Sequence, residues 1–89
     1  MHTKQWTVQV IINEDDEGRT SARAVLSAPG SRWHESEGVA RRHPDDMSIP
    51  EIGDELAAGR ALMALAQELL SDAASDVAMG GAGQWAGRV

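Results

Sequence analysis

The chain has 89 residues, with 14 acidic side chains against 8 Lys and Arg and a formal net charge of −6. Such a length makes one small domain with a thin core, and the acidic balance weighs against nonspecific attraction to nucleic acid or an anionic membrane. There is no Cys, which excludes disulfides, thiolate metal sites and thiol nucleophiles, and no Phe or Tyr, so the bulky core must come from Leu, Ile, Val, Met and three Trp.

The opening MHTKQW passes straight into a strand-like pattern, without an apolar run of signal-peptide or membrane-spanning length. A soluble, cytoplasmic protein is the default expectation. Residues 5–13 (QWTVQVIIN) alternate, with Trp6, Val8, Val10 and Ile12 facing one way and Gln5, Thr7 and Gln9 the other. This is a half-buried strand of β-branched and aromatic types, and Ile11 makes its second face partly apolar. Glu14-Asp15-Asp16-Glu17-Gly18 reads as a turn with Gly18 at positive φ. Its four acids lack the spacing of a calcium-binding EF-hand loop, so a solvated hairpin loop is the better reading. Residues 19–28 alternate again, Ala22, Ala24, Leu26 and Ala28 against Ser21, Arg23 and Val25. Alanine is a poor strand former, and its use here implies that a long helix lies close over this strand.

Pro29-Gly30 marks a second turn. A third strand, about 32–42, keeps no single hydrophobic phase through Trp33, Gly38, Val39 and Ala40, which predicts a bulge or register change near Glu37-Gly38. Gly38 and Ala40 are small enough to let the helix approach. His43-Pro44-Asp45-Asp46 follows as a connecting loop.

A helix is expected over about 49–79. Ser48 and Glu51 form a capping box, Met47 and Ile52 a hydrophobic staple, and Pro50 sits in the first turn. Glu51, Asp54 and Glu55 complement the positive end of the helix dipole. Ile52, Leu56, Met63, Leu70 and Val77 form an apolar ridge, flanked by Leu62, Ala66, Leu69 and Ala73, which is expected to face the sheet. Gly59 costs about 1 kcal/mol relative to Ala, and close contact with the sheet would account for it. The helix should overhang the shorter strands. Gly80-Gly81 forms a C-cap, and residues 80–89 make a flexible Gly-rich tail carrying Trp85. Residues 1–79 thus form a single β-β-β-α domain of the α+β class, with three antiparallel strands and the helix on one face.

No catalytic signature, glycine-rich phosphate loop or cofactor motif appears, so neither an enzyme nor a cofactor is expected. His34 with Glu35 and Glu37, and His43 with Asp45 and Asp46, are metal-capable types. Their spacing matches no helical ligand pair, and solvent-facing polar residues are the better reading; metal or small-ligand binding through them is one alternative function. A second alternative is a nucleic-acid surface made of Arg19, Arg23, Arg32, Arg41 and Arg42. The leading expectation is a non-enzymatic interaction domain, a homodimer or a binder of a protein partner. Its open sheet face would show Thr7, Gln9, Ile11, Ser21, Arg23 and Val25, a mixture suited to such contact.

The segments WTVQVIINEDDEGRTSARAVL, GVARRHPDD and above all IPEIGDELAAGRALMALAQELL resemble a small actinobacterial domain family of unknown function, similar in fold to double-stranded-RNA-binding domains. The resemblance covers Trp6 to Val77 and implies a three-stranded antiparallel sheet with a long C-terminal helix. RNA binders of that fold carry lysines at the start of the final helix. Here the segment is Pro50-Glu51-Ile52-Gly53-Asp54-Glu55, with three acids and no base, so the resemblance extends to the fold and not to that site.

Overall fold

Two glycine-containing turns hold the strands in an antiparallel meander. A computed structural model describes residues 2–30, 33–42 and 49–80. It contains β1 (Thr7–Glu14), β2 (Arg19–Ser27), β3 (His34–Arg41) and α1 (Pro50–Gly80), every boundary within two residues of expectation. The strand order is β1-β2-β3. In the first turn Gly18 adopts φ 81°, as expected of the residue that lets the chain reverse. The Asp15 carboxylate accepts the backbone N–H groups of Glu17 and Arg19, each at 2.9 Å, while its own N–H donates to the Arg19 carbonyl at 2.9 Å. The Asp15 carboxylate thus closes the hairpin.

The β2–β3 ladder runs without interruption from Arg19 opposite Arg41 to Leu26 opposite His34, so the expected bulge at Glu37-Gly38 is absent. The alternation of β3 is regular, but its inward set is His34, Ser36, Gly38 and Ala40, small or polar groups that a hydropathy pattern does not reveal. Trp33 precedes the strand and is exposed.

The helix faces the sheet with a different side from the one expected. Ala57, Ala61 and Leu65 are buried, with Ala58 and Leu69 packed beside them, against Ala22, Ala24, Leu26 and Ala40. The ridge of Ile52, Leu56, Met63 and Leu70 points to solvent, exposed by 52%, 46%, 65% and 66% respectively. The cause is depth. A Cβ added at Gly38 would lie 2.4 Å from both the Ala57 carbonyl oxygen and the Ala61 nitrogen, so the helix backbone rests directly on β3. At that distance there is room for alanine but not for leucine or methionine. Nothing lies within 4 Å of a Cβ at Gly59, which therefore makes no close approach to the sheet. Arg60 braces the seat from one side, its guanidinium donating to the Val39 carbonyl at 2.7 Å.

Pro50 is the first helical residue, and the Ile52 N–H bonds the Ile49 carbonyl at 3.1 Å. The expected cap and staple residues Ser48 and Met47, the loop 43–46, Arg32, Gly81 and Trp85 lie outside the described residues. The 31-residue helix is about 46 Å long against about 26 Å for an eight-residue strand, so its C-terminal turns extend past the sheet. It packs on β3 and β2 and barely touches β1. No helix among the described residues is long and apolar enough to cross a membrane.

Candidate functional site

Three features of this scaffold gather chemistry or unspent apolar surface. The first is a polar cluster beneath the helix. His34, at the start of β3, is buried, not solvent-facing as expected, because strand alternation turns it towards α1 and sends Glu35 to the opposite face. Its carboxylate neighbours come from the helix instead. Glu68 Oε1 lies 3.6 Å from Nδ1 and Asp72 Oδ2 3.3 Å from Nε2. Glu68 also accepts the Ser36 hydroxyl. That bond, followed by the one from His34, holds the Glu68 carboxyl below its ordinary value.

The two carboxylates stand at opposite nitrogens of one ring, so they do not converge on a point where a cation could sit. No group of three or more potential ligands is placed to hold a metal among the described residues. Ser36 bonds a carboxylate rather than the imidazole, which is not the arrangement of an activated nucleophile. The cluster ties the far end of β3 to the helix. His43, with Asp45 and Asp46, lies outside the described residues. Glu68 and Asp72 were not foreseen as neighbours of His34, although both continue the Ala57–Ala61–Leu65 stripe at helical spacing.

The second feature is an open cleft of about 520 Å³ between the first hairpin turn and the start of α1. Ile49, Ile52 and Leu56 supply its apolar wall, and Asp15, Asp16, Arg41 and Arg42 part of its rim. Hydrogen bonds from the Arg19 and then the Glu17 backbone lower the Asp15 pKa, and the charges of Arg19 and Arg41 add to this. Carboxylates and guanidiniums on the same rim offset each other, and among the described residues that line the cleft there is no nucleophile–base pair.

The third feature is surface. Thr7, Gln9 and Ile11 lie opposite Ser27, Val25 and Arg23, so the expected interface residues do share one face. Val25 is buried there, and Arg23 pairs with Glu35 at 3.6 Å. Arg19 and Arg41 are neighbours across the β2–β3 ladder, but Glu35 and Glu37 share that face and interrupt a basic patch. Ile11 is exposed on that face, but most of the large exposed apolar groups lie elsewhere, on the outer side of α1 and along Trp6, Val8 and Ile12. Val8 and Ile12 sit on the helix side of the sheet, where α1, seated over β3, leaves them uncovered.

The chain belongs to the Rv2632c-like family, whose model matches residues 4–84. It is 42% identical over 78 residues to the uncharacterized protein Mb1767 of Mycobacterium bovis, covering 83% of this chain and 77% of that protein. With the uncharacterized protein Rv2632c of Mycobacterium tuberculosis it shares 45% identity over 74 residues, at the same coverages of 83% and 77%. The crystal structure of Rv2632c superposes with a TM-score of 0.81 at 41% identity, covering 91% of this chain and 94% of that one. The likeness is therefore to mycobacterial proteins over nearly the whole domain.

Proposed function

We propose that this member of the Rv2632c-like family is a non-enzymatic interaction domain that works through apolar surface rather than through a chemical centre. The observation that carries the reading is the inverted helix. Alanines fill the seat on the sheet, while Ile52, Leu56, Met63 and Leu70 stand in solvent. Large apolar side chains gathered on one surface of a small domain mark a contact surface. Val8, Ile12 and Trp6 extend the exposed apolar area on the other side of the helix. The open sheet face, with Thr7, Gln9 and Ile11, is a weaker contender because Val25 is already buried and Arg23 already paired.

Charge supports a protein partner over a nucleic acid. The first helical turn carries Glu51, and Asp54 and Glu55 follow, where the RNA-binding domains of the suggested fold likeness require bases. The test is the mass of the native species, from gently lysed source cells and from purified full-length protein. The expected result is a defined assembly, homomeric or with a fixed second component. A chain that migrates at its own 9.5 kDa in both settings would refute the reading.

A further inference from the structure

The outer stripe of α1 has more order than a scattered apolar patch. Its large members are Ile52, Leu56, Met63, Leu70 and Val77, and small residues Gly59, Ala66 and Ala73 fill the gaps between them. Taken together they recur at alternating intervals of four and three over the helix, the 3.5-residue repeat of a coiled-coil seam. Met63 lies about 200° around the helix from both Ala61 and Leu65, so this seam faces away from the sheet. The sheet does not cover it, although Ile52 and Leu56 at its start also wall the cleft beside the first hairpin turn and Val77 is half-buried.

We infer that the occupant of this seam is a second copy of the same chain, its helix running antiparallel. Size complementarity carries the argument. Reversing the helix about a point between Ala64 and Leu65 sets Leu56 opposite Ala73 of the second copy and Met63 opposite Ala66. The same operation sets Leu70 opposite Gly59, and Ile52 opposite Val77. The three inner layers each pair a large residue with a small one. A parallel pairing would instead stack Gly59, Ala66 and Ala73 on themselves and leave voids between layers of leucine and methionine.

Area agrees. The exposed apolar surface of the stripe is on the order of 500 Å² per copy, about 1,000 Å² for the pair, the lower range of a specific interface. Leu62, exposed beside the stripe, would widen the contact. The C-terminal turns that overhang the sheet supply Ala73 and Val77, and so give that length a role.

Charge makes a smaller contribution. A parallel pair would bring Glu55 near Arg60 of the second copy, whereas the antiparallel pair brings Glu55 near Asp76. Exposed charges at the ends of a seam weigh less than unfilled layers along it. They also make the pairing stronger in salt, as does the net charge of −6 on each copy.

This inference rests on the interaction-domain reading, and the experiment separates the two. Sedimentation equilibrium of the full chain should give twice 9.5 kDa, with association rising between low and moderate salt. Met63→Glu should weaken association by about a hundredfold or more, with unchanged far-UV circular dichroism and urea midpoint. Ile11→Glu on the sheet face and Val8→Glu on β1 should leave association intact.

Because the chain has no cysteine, disulfide trapping reports orientation directly. Leu56→Cys mixed with Ala73→Cys should cross-link. Leu56→Cys alone should not, since its two copies would stand about 25 Å apart along the helices. A disulfide from Leu56→Cys alone would overturn the antiparallel arrangement. A pair insensitive to Met63→Glu but lost with Ile11→Glu or Val8→Glu would overturn the seam and leave the interaction-domain reading standing. A monomer at every concentration and salt would overturn self-pairing, and the native mass would then decide the broader reading.

Discussion

Gly38→Ala is the sharpest test of how the helix is seated. In the interior of a strand, alanine for glycine normally gains about 0.5–1 kcal/mol through a lower backbone entropy cost. Here the new methyl would lie 2.4 Å from the Ala57 oxygen and the Ala61 nitrogen, against an ordinary contact of 3.4–4 Å. Both atoms are helix backbone, so relief requires lifting α1 by about 1 Å and loosening Ala57, Ala61 and Leu65 from the sheet. Overpacking of this kind costs about 1–3 kcal/mol, and with no side chain able to yield the upper end applies, about 3 kcal/mol. A domain of this length has only about 4–13 kcal/mol in total, so the loss should lower the melting temperature by about 12–24 °C. Urea unfolding followed at 222 nm, beside a thermal scan, measures it. Ala61→Gly should not rescue the variant, because it removes a methyl and leaves the clashing nitrogen. A variant as stable as the parent, or rescue by Ala61→Gly, would refute direct seating of the helix backbone on β3.

Gly59→Ala should do the opposite. With nothing within 4 Å of the added methyl, the helix gains about 1 kcal/mol, read from urea midpoints at concentrations too low for pairing. Asp15→Ala should destabilise at neutral pH and lose its effect in acid. The folded carboxyl holds its proton less tightly than the ordinary 3.8, so its contribution is complete above that value and drains away as pH falls through the lower folded pKa. Parallel unfolding series at pH 7 and pH 2 would show this. Ser36→Ala removes the main cause of the low Glu68 pKa, which should then move up towards 4.5 when the carboxyl is titrated by NMR. The stability from that bond likewise exists above 4.5 and fades as pH falls below it.

The sequence showed the elements well, and for local reasons. Gly18 and Pro29-Gly30 announced the turns, Pro50 the first helical turn, and the alternation of Val8, Val10 and Ile12 the first strand. Facing was harder because α1 carries two apolar stripes on opposite sides. Ranking by bulk selects Ile52, Leu56, Met63 and Leu70 for the core, whereas the seat accepts Ala57 and Ala61. The necessary clue lay on the other surface. A floor of Ala22, Ala24, Gly38 and Ala40 is flat, and a flat floor fits a ceiling of similarly short side chains. The His34 cluster stayed hidden for a related reason. The inward positions of β3 are polar or small, so periodicity in hydropathy did not give their direction, and without the correct helix stripe Glu68 and Asp72 had no visible destination.

The off-centre seat of α1 also grades the domain in time. β2 and β3 are held by the helix and by each other, whereas β1 has β2 on one edge and scarcely any helix above it. Detaching β1 breaks one ladder and exposes little that was buried, so it needs less free energy than unfolding the whole. Amides of Gln9 to Asn13 that bond across to β2 should accordingly exchange with solvent through a local opening, before those shared by β2 and β3. The sheet is thus a firm two-stranded platform under a helix, with a third strand that comes and goes more readily than its neighbours.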